Sequence, residues 1–212
     1  MFAYSVSDIC SITQSTCVGN PSSRIDSVYI DSKTIPSHAS AVFIAIVGAK
    51  HNGHSFISEL YHRGVRNFWV QLHADYPLFD DATYIISEHP IHALQLLMAH
   101  YRGQFSIPIV GITGSNGKTI VKEWLYTIAK HYTAIARSPR SYNSQIGVPL
   151  SLTSLDTHHT IGLFEAGISQ PNEMSNIVLM LKPSIGIFTN IGDAHQEHFV
   201  DIEHKVQEKM KL

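Results

Sequence analysis

Apolar and polar positions alternate along the chain in two rhythms, one with the period of a strand and one with the period of a helix. Ser5 and Ser7 are good N-caps for a short helix over residues 6–12. Residues 28–31 read as a strand and 41–47 as a buried one. Phe56, Ile57, Leu60 and Tyr61, closed by Gly64, share one face of a short helix. Strands follow at 67–72 and 83–87. Ile91, Leu94, Leu97, Met98 and Tyr101 then make a longer amphipathic helix that ends near Gly103. This mixture predicts a small mixed α/β domain over residues 1–104, with the link at 103–108 as its boundary.

From 105 to 212 the order is more regular. An apolar strand at 107–113 enters a glycine-rich turn, and a helix follows with Ile120, Val121, Trp124, Leu125 and Ile128 on one face. Then come a strand at 133–136, a polar loop at 137–144, a helix around 149–155 and a strand at 160–166. A helix at 173–181, a strand at 184–191 and a helix from about Ile202 complete the series. Strands alternating with helices predict a parallel sheet covered on both faces.

Composition narrows the function. With 44% hydrophobic residues in 212, the chain can bury a real core. A net charge of -2 gives no electrostatic footprint for nucleic acid and no basic block for an acidic membrane. Cys10 and Cys17 have neither CxxC nor metal spacing and read as free thiols of a reducing compartment. The first basic residue is Arg24, and the longest apolar run, 41–49, is about half a membrane span. The expectation is a cytoplasmic, soluble protein.

The candidate chemistry begins at the turn Gly111-Ile-Thr-Gly-Ser-Asn-Gly-Lys-Thr119, between a predicted strand and a predicted helix. Glycines there let backbone N–H groups turn toward an anion, and the helix N-terminus adds positive dipole. Lys118 would reach the outer phosphates, and the Thr119 hydroxyl would hold Mg²⁺. The strict P-loop pattern wants glycine at position 112, which is Ile here, and GxGxxG is absent. Glu165 ends a predicted parallel strand, where a carboxylate faces the ligand crevice. His195 follows the last strand as a candidate metal ligand. On spacing alone, His195 and His198 could equally be a zinc pair, and Lys209 is an ordinary helix lysine.

Several segments in order resemble the Mur ligases, ATP-dependent amide-forming enzymes of peptidoglycan precursor synthesis. Thr113-Gly-Ser-Asn-Gly-Lys-Thr119 looks like that family's phosphate loop, and Val121-Lys-Glu123 is similar to its D-Ala-D-Ala-adding member. Tyr142-Asn-Ser-Gln-Ile-Gly-Val-Pro149, Glu165-Ala-Gly-Ile-Ser-Gln-Pro-Asn-Glu173 and Asn190-Ile-Gly-Asp-Ala-His195 resemble further family segments. Asp31-Ser-Lys33 looks like the opening of the family's UDP-binding domain.

The resemblance implies a UDP-substrate-binding domain followed by an incomplete P-loop, parallel-sheet ATP-binding domain. It implies ATP and Mg²⁺ as cofactors, with UDP-N-acetylmuramoyl-tripeptide and D-Ala-D-Ala as partners. Gly114, Ser115, Asn116, Gly117, Lys118, Thr119 and Asn143 would hold the nucleotide; Ser32, Lys33, Ser169 and Gln170 would meet the substrate. Thr119, Glu165, His195 and a carbamylated Lys209 would hold metal, and Lys118, His195 and Lys209 are the candidate catalytic residues. Lys209 draws this reading because it lies fourteen residues after His195.

Departures are Ile120 for a second Thr, Lys33 for Arg and Ala166 for a larger apolar residue. The length implies a fragment of a longer, monomeric parent, with little ligase activity alone. Alternatives are a third-residue-adding Mur ligase, a folylpolyglutamate-synthase-like enzyme, a non-catalytic nucleotide or UDP-sugar module, and a zinc-binding interaction module.

Overall fold

A computed structural model describes residues 1–48, 51–192 and 198–212. It divides into two units, Phe2–Leu97 and Met98–Leu212, the second including Met1. The division falls inside a helix, ahead of the 103–108 link.

In the first unit, β1 (Tyr4–Ser5) leads into α1 (Val6–Thr13). Ser5 caps that helix reciprocally: its Oγ accepts the Asp8 N–H at 3.1 Å, and its own N–H donates to Asp8 Oδ2 at 3.1 Å. After β2 (Thr16–Val18), β3 (Arg24–Ile25) pairs antiparallel with β1. The main sheet is built from β4 (Ser27–Tyr29), β5 (Ala41–Ile44), β6 (Asn67–Gln71) and β7 (Thr83–Ser87). These four run parallel, and β2 adds antiparallel to β7, giving the order β2-β7-β6-β5-β4.

Alternation sorts the two faces. Ala41, Phe43, Phe68, Val70 and Tyr84 pack in one core with Ile57 and Leu60 of α2 (Ile57–His62). Val42, Ile44, Trp69 and Ile85 are buried too, so the central strands read as unbroken apolar runs. β2 was not expected from the sequence: its residues are exposed or half-buried and carry no apolar alternation. The strand predicted at 28–31 stops at Tyr29 because Asp31 turns the chain. Its carboxylate accepts the Lys33 N–H at 2.9 Å, and its carbonyl accepts from Thr34.

His54, 1% exposed, sits in a 3-10 turn (Gly53–Phe56) before α2. Its Nδ1 meets Asn52 Oδ1 at 2.8 Å, and its Nε2 accepts the Gln71 N–H at 3.0 Å. That pattern assigns the proton to Nδ1 and a neutral ring. Burial lowers its pKa below the ordinary 6.5. Below about pH 6.5 the unfolded chain therefore binds a proton that folded His54 does not. Stability should fall with acidification from there, by at most ~1.4 kcal/mol per pH unit for this one group. Urea midpoints at pH 7.5 and 5.5 check this: His54→Gln should flatten the dependence, and an unchanged slope would refute it.

The second unit takes the last turn of α3 (Pro90–Arg102). Its sheet consists of β8 (Ile109–Thr113), β9 (Ile135–Arg137), β10 (Ile161–Glu165) and β11 (Ile185–Phe188). All pairings are parallel, as the alternation predicted, and the strand order is β11-β8-β10-β9. The helices are α4 (Lys118–Ala129), α5 (Gly147–Leu152), α6 (Glu173–Leu181) and α7 (Ile202–Lys209). Tyr101 Oη donates to the Leu155 carbonyl at 2.6 Å. Arg102 donates to the carbonyls of Leu181, Phe105 and Ile107, which ties the end of α6 to the link before β8.

One helix face needs correction. Val121 and Leu125 pack on Val110, Ile112 and Leu163, but Ile120, Trp124 and Ile128 are 56–68% exposed. The apolar stripe is wider than the sheet beneath it. The helix is turned so that Lys122, polar in sequence, lies inside at 0% exposure. Among the described residues, no helix is long and apolar enough to cross a membrane.

Candidate functional site

β8 ends at Thr113, and the chain turns through Gly114–Gly117 into α4. Gly114 has φ +144°, and a Cβ there would lie 1.9 Å from Thr189 Oγ1, so no other residue fits without moving that wall. Gly117, at φ +81°, is the N-cap and supplies no side chain to the first turn of α4. The first-turn N–H groups are left for an anion, as in a phosphate cradle.

The segment after β11 braces this loop. Asn190 accepts the Ser115 N–H on its carbonyl at 3.0 Å and the Asn116 N–H on Oδ1 at 2.8 Å. Ser115 Oγ donates to the Gly192 carbonyl at 3.0 Å and accepts the Gly192 N–H at 2.9 Å. Thr189 Oγ1 donates within the same turn, to the carbonyls of Thr113 and Asn116.

Lys118 curls over its own loop, with Nζ 2.7 Å from the Gly114 carbonyl. Burial lowers its pKa, and Glu165 opposes that shift. Lys118 and Lys209 line one cavity of about 280 Å³ with Gly114, Ser115, Asn143 and Ser169. Lys209 is 2% exposed, and burial, then the charges of Lys118 and Lys205, push its pKa down to about 8. α7 is fixed from both sides. Lys205 Nζ donates to the Gly192 carbonyl at 2.5 Å, and Glu208 accepts the Asn172 N–H at 2.8 Å.

Glu165, at the end of β10, is fully buried. Its Oε2 accepts from Thr119 Oγ1 at 3.1 Å and from Asn143 Nδ2 at 3.2 Å. A carboxylate and a hydroxyl this close form a hard-oxygen donor pair, which suits Mg²⁺ better than a softer metal. Glu165 Oε1 and Thr113 Oγ1 are buried without a hydrogen bond at the ends of neighbouring strands. Charge meets Oε1 instead, through Lys122 Nζ at 2.9 Å.

The structure thus gathers Gly114, Ser115, Asn116, Gly117, Lys118, Thr119, Asn143, Glu165 and Lys209 around one loop. Ser169 lines the same cavity, but its Oγ is spent on Glu173 Oε2 at 3.1 Å; Gln170 donates only its backbone N–H to that oxygen, at 2.9 Å. Ser32 and Lys33 line a separate cavity in the first unit, about 500 Å³, with Asp31, His51 and Gly53. His195 lies outside the described residues, so the His195/His198 zinc pair is not visible as a pair; among the described residues no cluster of three His, Cys, Asp or Glu could hold a metal. Sequence reasoning assigned no role to Asn190, Lys205 or Lys122. The Val121-Lys-Glu123 segment was the one signal that could have found Lys122.

Comparison with known proteins bears on the family and the fold. Residues 112–212 match the model of the Mur ligase middle domain. A UDP-N-acetylmuramoyl-tripeptide–D-alanyl-D-alanine ligase from Synechocystis is 30% identical over 81% of this chain and 37% of its own length. Its namesake from Borreliella burgdorferi is 31% identical over 89% of this chain and 43% of its own length. The chain therefore spans less than half the length of these curated relatives. A crystal structure of MurF from Acinetobacter baumannii superposes at a TM-score of 0.87, at 23% identity, over 99% of this chain and 46% of that one. MurF ligase from Thermotoga maritima, solved with ADP, superposes at 0.75 with 28% identity, over 87% of this chain and 42% of that one. Phosphate loop, sheet order and sequence relatives converge, and the chain belongs to the Mur ligase family, with the family's middle domain at residues 112–212.

Proposed function

We propose that this chain is the substrate- and ATP-phosphate-binding part of a ligase that joins D-Ala-D-Ala to UDP-N-acetylmuramoyl-tripeptide. One observation carries the reading: a half-buried Lys118 and a buried Lys209 converge on the cavity behind a glycine loop whose rim holds the Thr119–Glu165 oxygen pair. Such a site collects polyphosphate charge. The curated relatives bear the name of that ligase, and one structural neighbour was solved with ADP.

The chemistry follows from the groups present. A carboxylate is a poor acyl donor, so the γ-phosphoryl of ATP first passes to it, giving an acyl phosphate and ADP; the incoming amine then attacks the acyl carbon and loses a proton, and phosphate leaves as the amide forms. Lys118 and the first-turn N–H groups of α4 would hold the transferring phosphates against their own repulsion. Thr119 and Glu165 would hold Mg²⁺, which supplies charge neutralisation when bound. Lys209, with its pKa lowered to about 8, offers a free-amine fraction near neutral pH. That is the form able to add CO₂ and become a carbamate, an acidic ligand in place of a cation. Asn143 would orient the acyl-phosphate region beside Glu165. In the first unit, Ser32 and Lys33 offer hydroxyl and charge to the uridine diphosphate. Spending ATP on a nucleotide-linked precursor makes the cytoplasm the expected compartment.

Calorimetric titration tests this. UDP-N-acetylmuramoyl-tripeptide should bind at least tenfold more tightly than UDP-glucose, and ATP with Mg²⁺ should bind independently. Equal affinity for the two UDP compounds would leave only a general nucleotide module.

A further inference from the structure

Lys122 is the residue the phosphate-loop chemistry leaves unexplained. It is an ammonium at 0% exposure in the second turn of α4, a position where a lysine ordinarily reaches water. Its Nζ donates to the carbonyls of Ser138, at 2.8 Å, and Arg140. Two carboxylates meet its charge, Glu165 Oε1 at 2.9 Å and Glu123 Oε1 at 3.4 Å. An ammonium has three protons and no acceptor, so these partners account for all of it.

Two consequences follow from where those partners sit. Glu165 is divided: Oε1 faces Lys122, while Oε2 faces Thr119 and Asn143 on the loop side. The Ser138 and Arg140 carbonyls belong to the turn that delivers Ser141 and Asn143 to Thr119 and Glu165. Arg140 holds a left-handed φ of +49°, a conformation costly for a side chain with a Cβ and stabilised here by that lysine bond. Ser138 Oγ also accepts the Glu165 N–H at 3.0 Å, so the turn is tied to the Glu165 backbone as well as to its carboxylate.

We propose that Lys122 is a positioning residue: it engages Glu165 Oε1 so that Oε2 alone is presented to the divalent cation, and it pins the 138–143 turn that brings Asn143 to the same oxygen. The role rests on the nucleotide reading above. Lys122 touches neither phosphate nor metal; it fixes the direction and denticity of the carboxylate that does. Arginine cannot replace it, since a planar guanidinium with five donors does not fit a closed site built for three.

The test uses the full chain and the affinity of ADP with Mg²⁺ and with EDTA. The ratio of the two dissociation constants is the metal-dependent gain. In Lys122→Met the gain should fall about tenfold, while metal-free ADP affinity stays within twofold. A uniform loss in both conditions would make Lys122 merely structural and overturn the proposal, as would an unchanged gain. Because Lys122→Met strands a buried carboxylate and can fail to fold, the pair Glu165→Gln and Lys122→Met/Glu165→Gln is measured too. If Lys122 acts through Glu165, adding Lys122→Met to Glu165→Gln changes the gain by less than twofold; multiplying losses would refute it. A wild-type chain with no metal-dependent gain would sink the nucleotide reading itself, an outcome distinct from a gain that Lys122→Met retains.

Discussion

Lys118→Ala is expected to weaken binding of ADP with Mg²⁺ by about 100-fold. Among the described residues, the ammonium is held over the loop by two backbone carbonyls, Gly114 at 2.7 Å and Ser115 at 3.5 Å. Burial already lowers its pKa, so its charge is incompletely satisfied before any anion arrives. A phosphate oxygen in the adjoining cavity would gain a charge-assisted bond in a partly dry setting, worth ~1.5–3 kcal/mol, and ~1.4 kcal/mol is a factor of ten. The same bonds are too few to hold the fold, so the melting temperature should move by no more than ~2 °C. Lys118→Arg should not restore affinity, because the loop closes around a single nitrogen. Calorimetric titration checks both variants. A loss under threefold would remove Lys118 from the phosphate site.

Arg102→Ala should cost the second unit ~3–4 kcal/mol of stability, the largest effect expected outside the site. The residue is 6% exposed, and its guanidinium serves three carbonyls: Leu181 at 2.9 Å, Ile107 at 3.1 Å and Phe105. Each bond to a charged donor is worth ~1.5–3 kcal/mol, and the values do not add fully. Removing the donor leaves carbonyls at the end of α6 and in the link before β8 with reduced or no pairing. For a unit of this size, a loss of ~3 kcal/mol lowers the melting point by roughly 10 °C. Arg102→Lys, with fewer and less rigid donors, should recover less than half. Scanning calorimetry reads the shift, and a fall of under 3 °C would show that other bonds carry the joint.

These two residues mark what the sequence does and does not disclose. The phosphate loop was legible because its glycines and Lys-Thr pair fall at a strand-to-helix junction, a context the local pattern itself displays. The parallel sheet was legible for a similar reason: 109–113, 161–165 and 185–188 are short apolar runs separated by helical periods. Arg102 was not. It reads as a basic helix terminus beside a flexible link, and only the tertiary approach of Leu181 makes it a joint. Lys122 misled in the same way, since hydrophobic periodicity treats lysine as outward-facing. The stripe Ile120, Trp124, Ile128 then seemed to belong inside, whereas the helix is turned to bury the ammonium. Periodicity reports apolar faces, but an ion pair with a carboxylate 43 residues away in sequence leaves no local trace. The turn after β4 in the first unit was half visible: Asp31 was identified, but not that its carboxylate ends β4 early and so turns Ser32 and Lys33 toward the cavity.

The turned helix also gives the chain a pair of built-in optical labels. It has two tryptophans, one in each unit. Trp69 is completely buried, with its indole N–H on Ser87 Oγ at 2.6 Å, while Trp124 is 67% exposed on α4, two turns from Lys118. Their emission should therefore separate by wavelength, blue for the first unit and red for the second. A small neutral quencher such as acrylamide should silence Trp124 well before Trp69. Unfolding of either unit, and any event at the phosphate loop that reaches the exposed face of α4, can then be followed as a distinct colour change in the unmodified chain.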